Sequence, residues 1–195
     1  MAGRPRSFDR EAALAVAVRE FWRAGFDRTS VATLTAAMGV TPPSLYAAFG
    51  DKVRLFDEAS TVYFERTREA VERALALPSA HDAVAQVLRD TARAHTGAAT
   101  PPGCLMLTEP RLDAQREVLR QRLEDRLEQG VRDGDLPPGT DAGHLASFVV
   151  AVLRGMSGCA RDGGTTEDLL GIAETALAAL PAPVGPHDAG ASAGE

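Results

Sequence analysis

Between Thr29 and Phe49 the chain carries two helix starts and one forced stop, and this punctuation narrows the fold more than any other feature. Thr29-Ser30 offers a hydroxyl cap, after which Val31, Leu34 and Met38 share one face of a short helix that stops at Gly39. Two residues later Thr41 supplies the next cap. Pro42 then stands at the first helical position, where it has no N–H to leave unbonded and its φ is already set; Pro43 is still tolerated in that first turn. Leu34, Met38, Val40, Leu45 and Phe49 are available for a shared small core, the pattern of a helix-turn-helix. Upstream, Ala13, Leu14, Ala17, Val18, Phe21 and Trp22 fall in pairs four apart. They predict a first helix of about four turns, capped near Asp9 and ended by a left-handed Gly25.

Downstream the helical period persists to the end of the apolar sequence. A fourth helix is predicted from Asp51 to Pro78, and Ser79 with Asp82 resembles a capping box for a fifth, with Val84, Val87, Leu88, Thr91 and His95 on one face. Gly97 to Gly103 breaks the pattern. A short helical segment follows at Cys104-Leu105-Met106-Leu107, then a charged helix with Leu112, Leu119, Leu123, Leu127 and Val131 inward, ended by Gly134 and Pro137-Pro138. The last two helices are the most apolar. Leu145, Phe148, Val149, Val152, Met156 and Cys159 make one stripe, and Ala146, Val150 and Leu153 a second; Leu169, Ala173, Ala176 and Leu177 repeat this in the final helix. Apolarity on more than one face predicts a four-helix seam with a second copy, lined by Ala146, Val150, Leu153, Leu169, Ala173, Ala176 and Leu177. From Pro181 onward, Pro, Gly, Ala and Ser without an apolar period predict a disordered tail, 181–195. The expected class is all-α, with about nine helices.

Charge is unevenly divided. Residues 1–54 hold eight basic and five acidic side chains, a net +3 that leaves −9 on the remainder of a chain whose total is −6. A basic module on an acidic body puts the attraction for phosphate at one end. The two cysteines, Cys104 and Cys159, sit in apolar stretches, so neither a disulfide framework nor a multi-cysteine zinc site is expected. No metal and no cofactor are predicted. The start has no apolar signal region and no run approaches a membrane span, so a soluble, cytoplasmic protein is expected.

The stretch Val31-Ala-Thr-Leu-Thr-Ala-Ala-Met-Gly-Val-Thr-Pro-Pro-Ser-Leu-Tyr-Ala-Ala-Phe-Gly-Asp-Lys52 is similar to the helix-turn-helix signature of the TetR family of regulators. The likeness extends back through Phe21 and Gly25, and more weakly forward to Gly103-Cys104-Leu105 and the terminal helices. What it implies is a transcription regulator, usually a repressor: a homodimer on double-stranded operator DNA with inverted half-sites, released when a small molecule enters the C-terminal domain. The division implied is 1–50 for the DNA-binding module with its basic arm and 51–180 for effector binding and dimerisation. By matching position, Thr29, Ser30, Thr41, Tyr46 and Lys52 would meet the phosphate backbone, and Pro42, Pro43, Ser44 and Ala47 the base edges. Relatives often carry Tyr or His where this chain has Ala47 and Ala48, which thins direct readout. Arg4 and Arg6, in an extended Gly3-Arg4-Pro5-Arg6 arm, suit a narrow A·T minor groove.

The resemblance also implies an effector cavity, with Tyr63, Phe64, Leu88, Thr91, His95, Cys104, Met106, Leu119 and Leu123 as its candidate lining. That lining fits a small hydrophobic ligand with few polar anchors. Two alternatives stand beside this reading: a DNA-binding regulator without an effector, and a small helical enzyme. For the enzyme the sequence offers no HxxxH or CxxC spacing and no Gly-rich strand-to-helix motif.

Overall fold

Seven of the nine α-helices in the described part of the chain begin at a side-chain cap. The computed structural model describes residues 9–181. It contains α1 (Arg10–Arg28), α2 (Val31–Met38), α3 (Pro42–Phe49), α4 (Lys52–Leu75), α5 (Ala80–Thr96), α6 (Leu105–Thr108), α7 (Asp113–Arg132), α8 (Ala142–Arg161) and α9 (Thr166–Ala178), plus one 3₁₀ turn at Pro110–Leu112. Among the described residues there is no strand. Asp9, Ser30, Thr41, Asp51, Ser79, Asp141 and Thr165 each accept a backbone N–H of the first turn. Each cap is worth about 1 kcal/mol. Thr165 and Asp168 close a full capping box. At the predicted box of α5 only the Ser79 half is present, with Ser79 accepting from the Asp82 N–H.

Two cores organise these helices. The first gathers α1, α2, α3, the first half of α4 and the α6 region around Phe21, Leu34, Leu45, Leu55 and Phe56, all nearly or fully buried. Phe56 meets the rings of Phe21 and Phe26 edge-on, at 5.0 and 5.1 Å between centroids. The second packs the end of α4 with α5, α7, α8 and α9 around Leu88, Leu127, Met156 and Leu169. Leu136, in the loop after α7, joins this core and closes it from a segment with no helical period. α4 runs about 36 Å at 1.5 Å per residue, long enough to contribute to both cores. α8 is the one described helix long and apolar enough by composition to cross a membrane, with a mean hydropathy of 1.2 over its best window. That departs from the sequence expectation of no such span; in the fold α8 packs against α5, α6, α7 and α9.

α1 is broken where the sequence places its end. Gly25 has φ 77° and ψ 173°, an extended positive-φ conformation rather than the left-handed helical one expected, and the chain makes one more turn to Arg28. Thr29 ends that turn.

Candidate nucleic-acid interface and interior cavity

The recognition surface is built by the α2–α3 turn. Gly39 closes α2 in the left-handed conformation (φ 67°, ψ 34°), and the chain re-enters a helix at Thr41, whose hydroxyl accepts from the Ser44 N–H. Leu34, Leu45 and Phe49 are buried, which leaves Thr41, Pro42, Pro43, Ser44, Tyr46 and Ala47 exposed on one outer surface. Tyr46 is 47% exposed, the longest side chain there. Ser30 is exposed at the start of α2, where its hydroxyl pairs with that of Thr33 at 2.8 Å. Lys52 is half-buried, its ammonium 4.0 Å over the Phe26 ring, and Arg111 covers the same ring at 4.0 Å.

Thr29 departs from the role the resemblance implied for a hydroxyl there. It is 1% exposed, and its Oγ1 donates to the carbonyls of Gly25 at 2.7 Å and Glu20 at 3.3 Å, so the hydroxyl is spent on the end of α1. Arg4 and Arg6 lie outside the described residues. Arg10, which the sequence did not single out, pins the module: its guanidinium donates to the Ala48 carbonyl, pairs with Glu58 at 2.6 Å and covers the Phe49 ring.

Between α1, α4, α5, α6, α7 and α8 lies a cavity of two adjacent hollows, about 340 and 80 Å³, that share Thr67, Val71, Val87, Thr91, His95 and Cys104; Val18 and Trp22 of α1 line the larger one. Of the nine side chains expected here, Tyr63, Thr91, His95, Cys104, Met106, Leu119 and Leu123 line it. Leu88 does not: it is fully buried in the second core, one position after the cavity-facing Val87 and three before Thr91. Phe64 does not either: it packs, partly buried, against the first core. Missed altogether were Arg66 and Asp90 in the larger hollow and Arg116 in the smaller one; Arg66 and Arg116 stand at helical spacing from the apolar residues Val62 and Leu112, but a reading that counts only apolar residues passes over them.

The cavity floor is polar but uncharged. The Tyr63 hydroxyl donates to Cys104 Sγ at 3.2 Å and accepts the Leu105 N–H at 3.2 Å, while the Cys104 N–H donates to Ser157 Oγ at 2.9 Å. Burial, reinforced by the neighbouring Cys104, holds the Tyr63 phenol far above its ordinary range, and burial likewise pushes the Cys104 thiol up. Both stay protonated at neutral pH. His95 is 7% exposed although it stands in the last turn of α5. Burial, then the Arg161 guanidinium, lowers its pKa to about 4, so the ring is neutral. Its Nδ1 is buried with no hydrogen-bond partner. Among the described residues no three His, Cys, Asp or Glu side chains converge as metal ligands would.

The segment that floors the cavity also grips α1. Trp22 Nε1 donates to the Gly103 carbonyl at 3.0 Å. At the break in α1 the Phe26 N–H has no helical acceptor and donates instead to Glu109 Oε2 at 2.8 Å. Glu109 is 6% exposed and stands just after α6. Arg116, a cavity residue, donates through one guanidinium nitrogen to the carbonyls of both Met106 and Glu109 at 2.7 Å. From α8, Arg161 reaches the Trp22 carbonyl at 2.9 Å and Thr108 Oγ1 at 3.1 Å. Arg116 apart, which reaches back seven and ten residues, these partners stand 53 to 139 residues from one another, so no local pattern announces them.

The seam residues expected on the outer face of α8 and α9 mostly lie inside. Ala146, Leu169, Ala173, Ala176 and Leu177 belong to the second core, and Val150 and Leu153 line the cavity. On helices apolar all round, small residues bury as readily as large ones, and the core took the stripe Ala146, Val149, Met156 and Ala160. What faces out instead is Phe148 (40% exposed), Ala151 and Gly155 on α8, with Gly171, Ile172 (36%) and Thr175 on α9.

Comparison with known proteins adds three findings. Residues 13–59 match the family described as "Bacterial regulatory proteins, tetR family". The chain is 34% identical to the HTH-type transcriptional repressor ComR of Escherichia coli (strain K12) over 92% of each chain, and 31% identical to the HTH-type transcriptional repressor BdcR of the same organism over 91% of this chain and 92% of that one. Among solved structures, a cysteine mutant of the TetR family transcriptional regulator CifR, complexed with 26-bp double-strand operator DNA, is 40% identical and covers 91% of this chain and 100% of its own, with a TM-score of 0.81.

Proposed function

Because the chain belongs to the TetR family of bacterial regulatory proteins, we propose that it is a homodimeric repressor of the cytoplasm that holds an operator of two inverted half-sites and releases it when a small, uncharged, mainly apolar molecule fills its cavity. Residues 1–50 form the reading module and 51–180 the sensing and pairing body. Ser30, Thr41, Tyr46 and Lys52 meet phosphates, with Arg4 and Arg6 in the adjoining minor groove. Pro42, Pro43, Ser44 and Ala47 face the bases.

The observation that carries the sensing half of this reading is the route from cavity to reading module. Met106 and Arg116 touch the cavity, Arg116 holds the carbonyls of Met106 and Glu109, and Glu109 supplies the acceptor at the break in α1. A ligand that shifts α6 therefore works on α1 directly, as well as through α4. Two copies meeting across Phe148, Ala151, Gly155 and Ile172 set the spacing of their α3 helices, which must match half-sites about one helical turn apart. A tenfold loss of operator affinity needs only about 1.4 kcal/mol of difference between the ligand's affinities for the two states.

Tyr63, Cys104 and His95 form a neutral floor, so the part of the ligand that reaches it is uncharged: a charge buried there, away from Arg66, Asp90 and Arg116 elsewhere in the lining, would cost several kcal/mol. The test is selection of bound duplexes from a random pool, with sedimentation of the protein and its selected complex. An enriched inverted repeat carrying two chains supports the reading; absence of enrichment at low salt overturns it. With the operator in hand, a library of neutral compounds is screened for release. Binding in the cavity that leaves operator affinity unchanged overturns the sensing half alone.

A further inference from the structure

We infer that the operator is read chiefly through the 5-methyl groups of thymine, met by an apolar strip of Pro43 and Ala47 on α3; the inference rests on the DNA-binding reading above. From Val31 to Phe49 the chain holds no Arg, Lys, Asn, Gln, Asp or Glu. Bidentate recognition of guanine needs Arg or Lys, that of adenine needs Asn or Gln, and acceptance from cytosine needs Asp or Glu. None of these is available anywhere on α2 or α3. The exposed hydroxyls do not replace them. Ser44 Oγ pairs with Thr41 Oγ1 at 2.9 Å and Ser30 Oγ with Thr33 Oγ1 at 2.8 Å, and a hydroxyl that donates or accepts does not tell one base from another.

Of the direct contacts a helix in the major groove can make, the apolar one to the thymine methyl remains. Pro43 and Ala47 are exposed and stand four residues apart, one above the other on the same face of α3, as do Pro42 and Tyr46. The pair spans about 5–6 Å, against about 3.4 Å between stacked bases, so the strip covers about two base steps. Short side chains also let the helix axis approach the base edges closely, which a methyl contact requires and a long arginine would prevent. Phosphate contacts from the module's hydroxyls and Lys52 set the register without choosing the sequence.

The experiment takes the duplexes enriched by selection and replaces each thymine of the half-site, one at a time, by uracil, which removes only the methyl. The same steps are rebuilt as 5-methylcytosine·guanine pairs, which restore a methyl at that place. Affinity is expected to fall about fourfold for each contacted methyl, about sixteenfold when both half-sites are changed, and to recover in part with 5-methylcytosine. The salt dependence should stay as it was, because no phosphate contact is touched. Affinity unmoved by uracil at every thymine, or an enriched half-site without thymine, overturns this inference while leaving DNA binding intact. No enriched sequence at all overturns the DNA-binding reading itself, and this inference with it.

Discussion

Replacing Glu109 by alanine removes the one acceptor that the C-terminal body lends to the break in α1. In the native fold the Phe26 N–H, 8% exposed as a residue, donates to Glu109 Oε2 at 2.8 Å, and the Arg111 N–H donates to Oε1 at 3.2 Å. Gly25 turns the chain out of helical geometry immediately before Phe26, so the freed amide has no carbonyl to fall back on. Leaving a buried donor unsatisfied costs about 1–3 kcal/mol, toward the upper end when the lost acceptor was charged. For a chain of this length each kcal/mol lowers the melting temperature by about 2–4 °C, so Glu109→Ala should melt about 4–10 °C below the parent. Glu109→Gln keeps an oxygen in place and loses only the charge, so its fall should be less than half as large. Thermal unfolding followed by circular dichroism gives the size. Amide hydrogen exchange gives the place: Phe26 should lose protection while Leu34 and Leu45, in the same core, keep theirs at temperatures well below melting. A Glu109→Ala protein that melts within a degree of the parent, with the Phe26 amide as protected as before, would refute the claim that this carboxylate ties the reading module to the cavity floor.

Three further outcomes follow from the same geometry. Gly25→Ala puts a Cβ at φ 77°, ψ 173° and 3.1 Å from Glu109 Oε2, and should cost about 1–3 kcal/mol; an unchanged urea midpoint would mean that the break is not needed. Phe148→Asp combined with Ile172→Asp, at positions 40% and 36% exposed in the single chain, should leave the helical content intact and turn a sedimenting dimer into a monomer with little operator affinity. A dimer that survives both charges would move the seam elsewhere. His95 has its pKa lowered to about 4 by burial and by Arg161. Below its unfolded value of about 6.5 the unfolded chain takes up a proton that the folded chain refuses, so stability should fall progressively by up to about 3 kcal/mol between pH 6.5 and 4. His95→Leu should flatten that part of the pH profile, and a slope identical to the parent's would show that another group is responsible.

Much of the reading module could be seen in the sequence because its signals are local. Ser30, Gly39, Thr41 and Pro42 act through backbone groups within a few residues of themselves, and the helices start and stop where those residues require. The same holds for Asp51 and Ser79 further on. Seven of the nine expected cavity residues could be placed from a family likeness combined with helical spacing, since a shared face keeps its members together wherever the helix packs. Leu88 failed because it sits at the edge of that face, where a rotation of one residue separates cavity from core.

What the sequence by itself determined is the order of the helices and most of their starts, the exposed residues of α3 and the absence of long base-reading side chains along α2 and α3. Periodicity did not determine which stripe of α8 and α9 turns inward, because a helix apolar on several faces satisfies burial in more than one rotation. Packing decided it, putting Ala146 and Ala173 inside and Phe148 and Ile172 outside. Thr29, a hydroxyl beside an exposed cap, was likewise drawn inside, onto the carbonyls of Gly25 and Glu20 near the end of α1. The coupling of cavity to reading module was decided by tertiary structure alone: Glu109 and Phe26 are 83 residues apart, and a buried amide selects its acceptor by distance in space.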